Sequence, residues 1–162
     1  MNICLRDTLK DDLDFVLAAE HDKENRPFIS QWTREQHEDT LVNQDASHLI
    51  IERINDKMPV GYAILLGLRN PHQTIGLQRL VVTDKGKGYG KDALHLLKKL
   101  AFKELNAHRF WLDVKDFNLR ARHLYEAQGF VMEGMLRECI KAENSFESLI
   151  IMSILRTEYQ EN

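Results

Sequence analysis

Two abrupt changes of pattern between residues 77 and 103 constrain this chain more than any other stretch. Leu80-Val81-Val82 is an apolar, β-branched run of the kind that forms a buried strand. It gives way to Gly86, Gly88 and Gly90, and residues 92–103 then carry the apolar spacing of an amphipathic helix. A strand that breaks at a glycine loop and restarts as a helix builds an anion site. The glycines let backbone N–H groups turn inward, and the helix N-terminus adds the positive end of its dipole. Lys85, Lys87 and Lys91 bring side-chain charge to the same place. The stretch therefore predicts a cradle for a pyrophosphate. Spacing excludes two other phosphate loops. A P-loop needs Ser or Thr after its Gly-Lys, whereas Gly90-Lys91 is followed by Asp92, and no glycine stands at the required earlier position. A dinucleotide fingerprint needs G-x-G-x-x-G, and this chain has G-x-G-x-G, although Asp113 stands at about the distance of a ribose-binding acid.

The frame around this loop reads as one α/β domain over residues 1–162. Strands are expected at 2–6, 47–54, 58–68, 74–82 and 109–114, with a final hairpin formed by 130–137 and 147–155 around a polar turn at 141–145. Helices are expected at about 13–20 and from Thr33, whose Thr-x-x-Gln spacing to Gln36 is a capping box, to about residue 43. A helix joins the strands at 74–82 and 109–114, so those two should run parallel. Another runs from Asn118, a good N-cap, to Gly129, a good C-cap. A net charge of −3 argues against general nucleic-acid binding. Cys4 and Cys139 are too few for a disulfide framework or a zinc site, so no metal is expected. Early charges at Arg6, Asp7, Lys10 and Asp11 argue against a secretory leader, and no apolar run approaches the roughly 20 residues of a membrane span. The expectation is a cytoplasmic protein with no membrane partner, for which a homodimer is plausible.

Two motifs then carry a resemblance. Lys85-Gly86-Lys87-Gly88-Tyr89-Gly90 is similar to the Arg/Gln-x-x-Gly-x-Gly/Ala phosphate loop of the GNAT (Gcn5-related N-acetyltransferase) superfamily, with Lys in place of Arg or Gln. Asn118, Ala121, Leu124, Tyr125, Gly129 and Phe130 match the Asn-x-x-Ala-x-x-Leu-Tyr-x-x-x-Gly-Phe of its members. Glu133-Gly134-Met135-Leu136-Arg137 is similar to the Glu-Gly-x-x-Arg of the branch containing the Rim-type, ribosomal-protein N-terminal acetyltransferases. The resemblance implies a mixed, mostly antiparallel sheet of about seven strands with helices on both faces. It also implies direct transfer of an acetyl group from acetyl-CoA to a primary amine, without a metal.

Residue by residue, the resemblance implies that the pyrophosphate sits on Lys85, Lys87, Gly88, Tyr89, Gly90 and Lys91. The pantetheine arm would pair with the backbone of Leu80, Val81 and Val82, with Asn118 adding a hydrogen bond. Tyr125 would protonate the departing sulfur; periodicity alone reads it more often as core. Phe28 and Trp32 would line the acceptor pocket or simply pack under their loop. His95, Lys98, Lys99 and Lys103 are expected on the solvated face of the long helix. The general base has no evident owner: Gln78 and Arg79 stand where many members carry Glu, leaving Glu52, His72, His108 and Glu133 as candidates. An α-amine with a pKa of about 7.7–8 is about a fifth to a third neutral near pH 7.4, against about 0.1% for a Lys amine. That difference, about 3–4 kcal/mol, points to a low-pKa acceptor such as a peptide N-terminus or a small amine. A catalytically silent acyl-CoA-binding or sensor domain is the alternative. A small nucleotide-binding domain would leave 118–130 unexplained.

Overall fold

The computed structural model describes residues 1–161. Seven strands form one sheet: β1 (Ile3–Asp7), β2 (Ala46–Arg53), β3 (Pro59–Leu66), β4 (Thr74–Val82), β5 (Arg109–Lys115), β6 (Val131–Lys141) and β7 (Phe146–Leu155). Their spatial order is β1-β2-β3-β4-β5-β7-β6. Every neighbouring pair is antiparallel except β4 and β5. That exception is the pair joined by a helical crossover. Four α-helices complete the fold: α1 (Leu13–His21), α2 (Arg34–Val42), α3 (Tyr89–Lys99) and α4 (Leu119–Ala127). The expected sheet with helices on both faces is what forms.

Each face has its own core. On one, Leu13, Val16 and Ala19 of α1 pack on Ile50, Tyr62, Ile64 and Val81. On the other, Leu94 and Leu97 of α3 and Tyr125 of α4 pack on Ala63, Leu65, Leu77, Phe110 and Leu112. Local signals set the helix ends. Thr33 Oγ1 accepts the Gln36 N–H at 3.2 Å and Gln36 Oε1 accepts the Thr33 N–H at 2.8 Å, closing the capping box at the start of α2. The long helix is shorter than its pattern: after Lys99 it widens into a π turn, with the Leu105 N–H reaching Leu100 O at 2.9 Å. Lys98 departs from the solvated position expected of it. It is buried, and its ammonium donates to Gln128 O at 2.8 Å, satisfying a carbonyl at the end of α4.

One irregularity organises the centre of the sheet. Along β3, Leu65 faces Leu77 but Ile64 faces Arg79, so Gln78 is an extra residue in β4. A bulge of this kind reverses the side-chain alternation and bends the strand. Ile75 and Leu77 therefore point into the α3–α4 core, whereas Val81 packs with the α1 core. Pairing of β4 with β5 stops just before the bulge, at Leu77 opposite Leu112. Beyond it each strand keeps only its outer neighbour: β4 stays on β3 as far as Val82, and β5 stays on β7 as far as Lys115. The two strands part, and a cleft opens between them.

The close approach of β3 to β4 depends on Gly61, where an added Cβ would lie 2.3 Å from Val81 O and 3.2 Å from Val82 Cα. Both are backbone atoms, so the strands must move. Gly61→Ala is expected to destabilise the protein by about 2–3 kcal/mol, read as a lower urea midpoint at unchanged m-value.

Candidate active site

The cleft between β4 and β5 has a volume of about 840 Å³. Its lower end is the glycine loop. Gly86 and Gly88 have φ of +82° and +80°, a region that costs other residues strain. An added Cβ at either would meet nothing within 4 Å, so open space lies beyond the backbone here. Gly88 is the N-cap of α3, and no side chain caps that helix. Asp92 donates the first helical N–H, to Gly88 O at 3.0 Å, leaving the amides of Tyr89, Gly90 and Lys91 at an open helix N-terminus. Uncapped amides, a positive dipole end and free space suit a pyrophosphate.

Most of the anticipated site residues come together here. Leu80, Val81, Val82, Lys85, Gly88, Tyr89, Gly90, Lys91, Asn118, Tyr125 and Phe28 all line the cleft. Two do not. Lys87 is exposed and forms an ion pair with Asp84 at 2.8 Å. Trp32 packs beside His37, ring centroids 5.1 Å apart, and under the Arg79 guanidinium at 5.0 Å. Trp32 thus packs under its loop and does not line the cleft. Lys85 is turned away from the loop, donating to Asn25 Oδ1 at 2.6 Å, and burial lowers its pKa. Asn118 accepts the Ala121 N–H at 3.3 Å and so caps α4. Tyr125 is buried beneath the cleft. Desolvation, and secondarily the Asp113 charge, push its phenol up to about 12, so it stays protonated through the neutral range.

None of the four candidate bases lines the cleft. Glu52 is engaged by Arg6 at 2.5 Å and Glu133 by Arg109. His72 and His108 are exposed near the β3–β4 turn and the start of β5. The carboxylate that does face the cleft beside Tyr125 is Asp113 of β5. Desolvation raises its pKa, against a smaller lowering by Arg79. Only the alternation of β5 hinted at this: Phe110, Leu112 and Val114 point into the α3–α4 core, leaving Asp113 for the opposite face.

The loop between α1 and α2 forms the outer wall. Three cations from three rims of the cleft hold it: Lys85 at Asn25, Lys115 at Pro27 O (2.9 Å) and Arg79 at Ser30 O (2.8 Å). Behind it lies a buried polar chain that the sequence pattern did not reveal. Glu20 and His37 are 0% exposed and His48 5%. His37 Nε2 lies 3.1 Å from Glu20 Oε2, His37 Nδ1 lies 3.1 Å from His48 Nε2, and His48 Nδ1 lies 2.8 Å from Thr8 Oγ1. A carboxylate only accepts, so with neutral rings one arrangement follows. Thr8 donates to His48, His48 to His37, and His37 to Glu20. Glu20 also accepts the Trp32 N–H at 3.2 Å and lies 3.8 Å from Arg79 Nε.

The parted strands, the open helix N-terminus and the phenol beside the gap together define a transferase built around a phosphate-bearing donor. The chain belongs to the acetyltransferase (GNAT) family, whose model matches residues 15–130. It is accordingly an N-acetyltransferase that moves an acetyl group from acetyl-CoA to an amine. Its similarity to a spermidine N(1)-acetyltransferase of Vibrio cholerae is 27% identity over 167 residues, covering 97% of this chain and 95% of that protein. An uncharacterised, prophage-derived N-acetyltransferase of Bacillus subtilis is 26% identical, covering 99% of this chain and 88% of that one. The crystal structure of spermidine N-acetyltransferase from Vibrio cholerae in complex with CoA and spermine superposes with a TM-score of 0.88 at 22% identity, covering 98% of both chains; it shares the fold.

The buried histidine chain has a consequence for stability. Burial, and secondarily His37, push His48 down to about 4 from an ordinary 6.5. Between those values the unfolded chain binds more protons than the folded one, so stability is complete above about pH 6.5 and is lost as pH falls toward 4. The shift corresponds to a loss of about 3 kcal/mol. Urea melts at pH 4.5, 5.5 and 6.5 should show it, and His48→Gln should flatten the dependence.

Proposed function

We propose that the protein acetylates the primary amine of a small molecule by direct attack, with Tyr125 and Asp113 handling the two protons. The observation that carries this reading is that the Tyr125 phenol and the Asp113 carboxylate both face the gap where β4 and β5 part. Bound in the cleft, acetyl-CoA supplies an acyl group activated as a thioester. The free edge at Leu80, Val81 and Val82 offers backbone groups to the pantetheine arm, as an added strand would. The amides of Gly88, Tyr89, Gly90 and Lys91 take the pyrophosphate, and Lys85 is free to leave Asn25 for it. A backbone N–H of β4 polarises the thioester carbonyl.

The acceptor enters on the α1–α2 face, against Phe28 and the loop that Lys115 and Arg79 hold. Asp113 meets its ammonium. Lys115 is paired with Glu147 at 3.4 Å and Arg79 lies against Glu20, so Asp113 is the carboxylate left uncompensated at this end. Its raised pKa suits it to take one proton from that ammonium, which frees the lone pair that attacks; the second N–H proton passes to solvent once the C–N bond has formed. As the C–S bond breaks, Tyr125 gives its proton to sulfur. The curated relatives named for spermidine make polyamines the first acceptors to assay. A peptide N-terminus, the other acceptor expected from the sequence, has no such support from these relatives.

The test is coenzyme A release across spermidine, spermine, diamines, amino acids and short peptides. Tyr125→Phe should lower kcat about 100-fold or more while acetyl-CoA affinity, measured calorimetrically, is retained. Asp113→Asn should lower kcat/KM and remove the acidic limb of its pH profile. Tyr125→Phe turning over at the parent rate would sink the proton-donor assignment. An absence of acetyl-CoA binding would sink the reading altogether.

A further inference from the structure

The acceptor end of the cleft contains a feature that acetyl transfer to a simple amine does not need. Arg79 is only 7% exposed, yet it lines the cleft. The bulge at Gln78 is what turns it there, since unbroken alternation would have sent it into the α3–α4 core. Its guanidinium is incompletely used. Nη2 donates to Ser30 O at 2.8 Å, and the Trp32 ring supports the group at 5.0 Å. Nε is buried without a hydrogen-bond partner, 3.8 Å from Glu20 Oε1. Nη1 makes no hydrogen bond among the described residues. A buried donor left unpaired is costly, and a guanidinium presents its donors as a planar fork that matches a carboxylate.

The setting keeps this fork in place before any ligand arrives. Glu20 compensates its charge, which a buried lone cation would require. Glu20 is in turn fixed by His37, and His37 by His48 and Thr8. Across the cleft stands Asp113, close enough for Arg79 to lower its pKa, yet no ion pair joins the two among the described residues. A cation and an anion are thus held apart at one end of one cleft, with Phe28 and Ile29 beside them. A long polyamine would bring several ammonium groups toward Arg79 and Lys115, where Asp113 is the carboxylate on offer; Glu24, also on the cleft and without an ion pair among the described residues, lies toward Lys85. A molecule bearing one ammonium and one carboxylate would satisfy both sides.

We infer that Arg79 is a specificity residue, and that the acceptor is a small amine carrying a carboxylate: an amino acid or an amino-acid-like acid. This rests on the acetyltransferase reading above and refines its acceptor. Asp113 takes the ammonium, Arg79 takes the carboxylate through its free Nη1, and Glu20, beside the buried Nε, positions Arg79.

Matched acceptors test it: free amino acids against their carboxamides, and ornithine against 1,4-diaminobutane. Coenzyme A release is measured together with acceptor binding to the coenzyme A complex. In the parent protein the acid member of a pair should have at least a tenfold higher kcat/KM, expressed mainly in KM. Arg79→Met should bring that ratio close to one, and Arg79→Lys should restore part of it. Because Arg79→Met leaves Glu20 uncompensated, the double variant Arg79→Met with Glu20→Gln is run beside it to keep the fold. Preference of the parent protein for the carboxamide or the diamine would overturn the proposal, and so would a ratio unchanged in the double variant. Turnover of polyamines alone, still dependent on Tyr125, would overturn this inference and leave the acetyltransferase reading standing. No turnover and no binding of any amine would overturn both.

Discussion

The parting of β4 from β5 is the constraint on which the rest of the molecule depends. A parallel pair inside a sheet would normally satisfy both strands to their ends. Here Gln78 inserts an extra residue, β4 bends, and pairing ends at Leu77 and Leu112. The cost is a set of backbone groups without strand partners beside Leu80, Val81 and Val82, which the protein leaves for a ligand to complete. The same bulge decides which core each side chain of β4 joins. It gives the cofactor half of the cleft a bare backbone edge and the acceptor half a buried guanidinium.

Charge holds the outer wall where apolar packing does not. The segment between α1 and α2 is polar and contributes few buried residues, so it has little hydrophobic hold of its own. Lys85, Lys115 and Arg79 fasten it at Asn25, Pro27 and Ser30, one from each rim. Lys85 is shared between that wall and the anion loop. On the proposed reading, a phosphate that drew Lys85 away from Asn25 would change how this wall is held, which would connect the two halves of the cleft through one ammonium group.

Much of this was legible in the sequence, for reasons that can be named. Helix and strand periods separate the elements, and a helical crossover makes β4 and β5 parallel. Gly86, Gly88 and Gly90 mark the loop between β4 and α3, and the Asn118 and Tyr125 motif marks α4. What the pattern hid follows from two causes. The Gln78 bulge breaks strict alternation, so Arg79 read as a residue of the wrong type on a strand, not as a buried cation with a role. Glu20, His37 and His48 come from three separate elements and Thr8 from the segment after β1, with no local spacing to join them; only folding makes them a chain. Nothing local marks Lys98 as buried, since a lysine on an amphipathic helix is normally solvated and its carbonyl partner, Gln128, belongs to a distant segment. Trp32 was drawn toward the acceptor pocket by its loop, although its ring supports Arg79 from behind.

A division of labour along one strand makes these observations cohere. On the proposed reading the backbone would do the binding in the lower cleft, so Leu80, Val81 and Val82 would serve mainly as packing and could be exchanged for other aliphatics without changing what the edge presents. In the upper cleft the side chains would do the binding, and they would have to be held rigidly before the acceptor arrives. An exposed arginine would satisfy neither requirement, since it would keep its rotamer freedom and its water. Burying it demands a counter-ion, and that counter-ion demands hydrogen bonds of its own. The succession from Arg79 to Glu20, His37, His48 and Thr8 is what such a demand produces when followed to the last polar group, where the Thr8 hydroxyl closes the chain. A buried network of this length is a poor way to stabilise a fold, because apolar residues of the same volume would do as well. Its presence behind one end of a substrate cleft is better explained by the guanidinium it holds there.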